Sequence, residues 1–90
     1  FHSNTAGLSG GAIYALATLT GSNADVVIEN GLFYQNNATA FGSAIFGETK
    51  RLTIKNATFS NNIVSGSAAI YITTFVGNNS EIRNSIIYGN

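Results

Sequence analysis

Three stretches of the chain, VVIENGLFYQNNA (26–38), LTIKNATFSNNIV (52–64) and SEIRNSIIYGN (80–90), lie above one another without a gap. Ile28, Ile54 and Ile82 fall in one column, and Asn30, Asn56 and Asn84 in another two residues on. Phe33, Phe59 and Ile87 follow, and Asn36, Asn62 and Asn90 close the block. The chain opens with FHSN (1–4), which is the same half-block, so Phe1 and Asn4 extend the last two columns. A repeat at this scale decides the architecture before any single element is considered.

A second block alternates with the first: GGAIY (10–14), GSAIF (42–46) and SAAIY (67–71). From Phe1 to Phe33, Phe59 and Ile87 the spacing is 32, then 26, then 28 residues. The variation falls between the aromatic of the second block and the next Ile. Helical repeats and leucine-rich repeats of similar length carry signatures that are missing here. The blocks instead alternate apolar and polar residues over four to six positions, and turn formers flank them, so they read as short strands. A helix over GAIYALATL (11–19) is the rival on propensity alone. The matching stretches, AIFGETKRLTI and AAIYITTFVG, contain Gly or β-branched runs and favour strand.

Short strands at a fixed period, each aligned with its own copy, describe parallel strands stacked on one another. At ~4.8 Å per layer, identical columns then sit directly over each other. The fold expected is all-β: a right-handed parallel β-helix, or β-solenoid, of about three coils (approximately 1–32, 33–58 and 59–90) in one domain spanning 1–90. Strands should pair 26 to 32 residues apart. Ile28, Ile54 and Ile82 should form one interior stack, and Phe1, Phe33, Phe59 and Ile87 a second. Asn30, Asn56 and Asn84 are expected at a corner with buried amides bonded from layer to layer, and Asn4, Asn36, Asn62 and Asn90 extend the asparagine ladder. Asn also tolerates the left-handed backbone that a tight corner often needs. In the same alignment Glu29 lies over Lys55 and Lys55 over Arg83, while Asp25 lies over Arg51. These residues flank inward Ile positions, so alternation points them outward.

FxxN appears as FHSN, FYQN and FSNN, with IYGN a degenerate copy, and GGAI appears once intact and then as GSAI and SAAI. These two tetrapeptides in alternation resemble the repeats of chlamydial-type polymorphic outer-membrane proteins and of related bacterial right-handed β-helix proteins. The resemblance covers all 90 residues. It implies an autotransporter-passenger or adhesin-like extracellular solenoid. It carries over no catalytic residues, because the motifs are structural.

Composition narrows function further. Formal net charge is zero and charged residues make up 9% of the chain, so nothing draws it to nucleic acid or an anionic membrane. There is no Cys, which excludes disulfides and thiolate metal sites. No apolar run reaches the ~20 residues of a membrane helix. The four acids, Asp25, Glu29, Glu48 and Glu81, share no column, so no paired-carboxylate site is expected, and no cofactor is implied. His2 has no evident partner, and Glu48, Lys50 and Arg51 read as a solvated connector. Sequons at Asn37, Asn56 and Asn78 are no more than an Asn-rich, Thr-rich chain gives by chance, and a glycan on Asn56 should break the stack. Thr18/Thr20 and Thr73/Thr74 do not align into an ice-binding array.

The function expected is a secreted or cell-surface structural or adhesive solenoid, a spacer whose loops contact a partner such as a host surface or a glycan. The connector Ala15–Ala24 is the longest link, and Thr18, Thr20, Ser22 and Asn23 are its candidate contact residues. Two alternatives are the non-catalytic part of a β-helix carbohydrate-active enzyme and a self-stacking filament subunit. The repeat runs in register to both ends without a polar cap. Adjacent coils of a longer parent, or stacked copies of the chain, are therefore expected to cover them. The parent is favoured because the Phe-Asn corner has four layers and the Gly-Ala-Ile strand three.

Overall fold

The computed structural model describes residues 1–16, 25–66, 68–74 and 80–90. The strands fall into three successive stretches of four, and the first contributes β1 (Thr5–Ala6), β2 (Ile13–Leu16), β3 (Asp25–Glu29) and β4 (Leu32–Tyr34). The second contributes β5 (Asn37–Ala38), β6 (Ile45–Thr49), β7 (Arg51–Lys55) and β8 (Thr58–Ser60). The third contributes β9 (Ile63–Val64), β10 (Ile70–Thr74), β11 (Glu81–Arg83) and β12 (Ile86–Tyr88). Among the described residues there is no helix, and Ile13–Leu16 is a strand.

Every strand pairs in parallel with its counterpart in the next stretch, giving four three-stranded sheets: β1-β5-β9, β2-β6-β10, β3-β7-β11 and β4-β8-β12. This all-β, all-parallel arrangement is compatible with a β-solenoid. Ile28, Ile54 and Ile82 share one register line, and Phe33, Phe59 and Ile87 another. One pairing departs from the expected 26-to-32 spacing: Ile45 pairs with Ile70, only 25 residues on. The shortening is absorbed between β9 and β10, where Gly66 backs onto Ala40 so closely that an added Cβ would overlap the Ala40 carbonyl.

The core is filled mostly from the middle stretch, with Phe33 from the first. Phe33, Ala44, Ile45, Leu52, Ile54, Ala57 and Phe59 are buried, flanked by Ala12, Ile13, Val26, Ile28, Ile70 and Ile72. Among the described residues the middle strand of each sheet is covered on both sides, and so is Phe33 of β4, on which Phe1 stacks. The outer members of the columns are therefore exposed although they stand in register: Phe1 60%, Ile82 42% and Ile87 50%. Ile70, Ile72, Ile82 and Ile87 line one open end of this core, and Phe1, Ile13, Val26 and Ile28 the other.

The corners require a left-handed backbone. Asn30, Asn56 and Asn84 have φ of 57°, 53° and 48°. A second such column, not foreseen from the sequence, is Ser3, Gln35, Asn61 and Gly89, at 55°, 54°, 53° and 62°. Its polar, Gly-tolerant composition was the available signal. A third contains Gly10 and Gly42 (φ 68° and 61°).

Candidate functional site

Two features of the described residues stand out by their geometry, the interior ladder and the outer walls. Inside, the four residues Asn4, Asn36, Asn62 and Asn90 form a one-way chain. The Nδ2 of each donates to Oδ1 of the next, at 2.9, 2.9 and 2.8 Å. The backbone N–H of Asn4, Asn36 and Asn62 donates to the same Oδ1, at 3.2, 3.0 and 2.9 Å. Nδ2 of Asn36, Asn62 and Asn90 also donates back to the carbonyls of Phe1, Phe33 and Phe59. Asn36 and Asn62 are fully buried with their hydrogen bonds made, as burial demands.

Asn30, Asn56 and Asn84 behave differently, which corrects the expectation of buried amides at that corner. All three side chains are exposed, and the residues serve through the backbone. The N–H of Asn30 donates to the Lys55 carbonyl at 3.0 Å and that of Asn56 to the Arg83 carbonyl at 3.1 Å. The left-handed residue turns the chain and shifts the inward phase of alternation by one position, from Asn30 to Gly31 and then Phe33. Exposure also removes the objection to a glycan on Asn56, whose side chain lies outside the stack.

Beside the ladder, the rings of Phe1, Phe33 and Phe59 stack at 4.9 and 4.6 Å with interplanar angles of 3° and 6°. A second aromatic stack stands on the outside of β2-β6-β10. Tyr14, Phe46 and Tyr71 pile up at 4.9 and 5.2 Å, and Phe41 tilts against Tyr71 at 4.9 Å. Tyr14, Phe46 and Tyr71 are the aromatic position of the GGAIY, GSAIF and SAAIY blocks. Parallel rings in a column present their edges outward.

The third wall, β3-β7-β11, carries charge. Asp25 pairs in register with Arg51, Glu29 with Lys55, and Lys55 with Arg83. Arg83 escapes the like-charge step by pairing along its own strand, Nε to Glu81 Oε2 at 3.1 Å. Glu48 and Arg51 lie within β6 and β7, so the expected charged connector there shrinks to Lys50 alone. His2 is exposed, with Nδ1 3.4 Å from Ser3 Oγ. Among the described residues no three His, Cys, Asp or Glu come together as a metal site. No helix among them is long and apolar enough to cross a membrane. The candidate contact residues Thr18, Thr20, Ser22 and Asn23, and most of the connector Ala15–Ala24, lie outside the described residues, as does Asn78. No family model, curated protein or solved structure matches the chain.

Proposed function

We propose that this chain is a right-handed parallel β-helix segment, about three coils long, of a secreted or cell-surface protein. Its role is structural or adhesive and non-enzymatic: a stiff spacer whose loops contact a partner such as a host surface or a glycan. One observation carries this reading. The recurring chemistry of the repeats goes into the Asn4–Asn36–Asn62–Asn90 ladder and the Phe1–Phe33–Phe59 stack, so the repeat builds scaffold and leaves recognition to what projects from it. The acids support the non-enzymatic part. Asp25 and Glu29 stand four residues apart on one strand, ~13 Å at ~3.3 Å per residue. That separation is beyond the ~5–9.5 Å of paired glycosidase carboxylates. The resemblance to polymorphic outer-membrane protein repeats points the same way.

Beads coated with the chain and washed over cultured epithelial cells test this. Retention should exceed that of bare beads and should fall when Thr18, Thr20, Ser22 and Asn23 are all replaced by Gly, with the far-ultraviolet circular dichroism unchanged. Retention no better than bare beads removes the adhesive role. Release of reducing or unsaturated ends from a panel of polysaccharides removes the non-enzymatic one.

A further inference from the structure

Six of the eight charged residues stand on one sheet: Asp25 and Glu29 on β3, Arg51 and Lys55 on β7, and Glu81 and Arg83 on β11. They alternate with inward Val26, Ile28, Leu52 and Ile54, so they occupy its outer face. Strand β3 carries only acids and β7 only bases, in strict register. Glu81 and Arg83 satisfy each other at 3.1 Å, but among the described residues Asp25, Glu29, Arg51 and Lys55 make no ion pair within 4.0 Å. Their charges remain available one strand apart, around a polar depression lined by Arg51, Thr53, Lys55 and Glu81.

We propose that this outer face is a self-complementary docking surface for a second copy of the chain, related by a two-fold axis parallel to the strands and midway between β3 and β7. Such a rotation keeps each residue's position along the strand and reverses the order of strands. Asp25 then faces Arg51 of the second copy, and Glu29 faces its Lys55. The same contacts recur in reverse, as a two-fold interface requires. Four ion pairs form from four residues of each copy, with Val27 opposite Thr53. Other placements fail. An axis along the stacking direction sets Asp25 against Glu29. An axis on β7 sets Arg51 against Arg51, and one between β7 and β11 sets Lys55 against Arg83. A simple anion is a poorer occupant, because Asp25 and Glu29 flank the bases that would hold it.

The area limits the strength. Five residues at ~3.3 Å by two or three strands at ~4.8 Å give roughly 200 Å², against ~800 Å² per partner in a stable complex. The dimer is therefore weak and depends on ionic strength. This inference uses neither the loops nor the ends of the stack, so it stands or falls separately from the adhesive role.

Analytical ultracentrifugation at about 1 mM chain, the regime of weak complexes, tests it. The wild-type chain should self-associate near 0.01 M ionic strength, where the Debye length is ~30 Å, and be monomeric near 1 M, where it is ~3 Å. D25K/E29K makes the face basic and R51E/K55E makes it acidic. Each variant alone should stay monomeric at low salt, and an equimolar mixture should associate more tightly than wild type. Circular dichroism and a cooperative melt confirm that both variants fold. A wild-type chain that stays monomeric at low salt overturns the proposal, whether the face is merely solvated or reserved for another partner. So does a single charge-reversed variant that associates as well as wild type, or a mixture that does not associate.

Discussion

Replacing Asn62 by Ala should be among the most damaging single changes in this chain, and the structure gives the size. Asn62 is fully buried and makes four side-chain hydrogen bonds. Its Oδ1 accepts from Asn36 N and Nδ2, and its Nδ2 donates to the Phe33 carbonyl and to Asn90 Oδ1. After truncation the buried Asn36 N–H has no acceptor left, which costs ~1–3 kcal/mol. Asn36 Nδ2 keeps its bond to the Phe1 carbonyl, and Asn90 is exposed, so neither of those two losses leaves an unsatisfied buried group. The remaining three bonds add ~0.5–1 kcal/mol each. The total is ~2.5–6 kcal/mol, against ~5–13 kcal/mol for the whole of a 90-residue domain. Asn56 shares the repeat motif and the spacing but has an exposed side chain. Among the described residues its side chain makes no hydrogen bond, so its replacement by Ala costs only the left-handed preference, ~1 kcal/mol. Urea denaturation followed at the far-ultraviolet β signal, with linear extrapolation, measures both. Two variants within ~1 kcal/mol of each other would refute the division of labour between the two Asn columns.

Three further expectations follow from the same geometry. Phe59→Ala deletes a buried ring stacked 4.6 Å from Phe33, and should cost ~3–5 kcal/mol in the same denaturation assay. Gly42→Ala meets both a φ of 61° and a Cβ overlapping the Ile45 carbonyl, so it should lower stability by more than ~2 kcal/mol, while Asn56→Gly should be neutral or slightly stabilising by differential scanning calorimetry. Phe46→Ala breaks the outer stack at its centre. The near-ultraviolet circular dichroism of Tyr14 and Tyr71 should collapse, and because Phe46 is itself buried the stability lost should be ~3–5 kcal/mol, as for other buried rings.

The sequence by itself determined that the strands are parallel and which residue lies over which. Stacking identical units makes the alignment of the repeat the register of the sheet, so Ile28 over Ile54, Phe33 over Phe59 and Asp25 over Arg51 were legible from the letters alone. What the letters did not decide is which of two Asn columns faces in. Simple two-residue alternation carries the inward phase from Val26 and Ile28 to Asn30, and that is why Asn30, Asn56 and Asn84 were expected to be buried. The left-handed backbone at those positions breaks the alternation, and a second break at Gln35 and Asn61 turns Asn36 and Asn62 into the core instead. Both columns are Asn because one needs its conformational tolerance and the other its paired donor and acceptor. Only the path of the backbone through the corner separates these uses. The assembly of six charges on one wall was likewise partly visible as columns. That acids fill β3, bases fill β7, and neither row is neutralised by its neighbour depends on side-chain placement across the folded sheet.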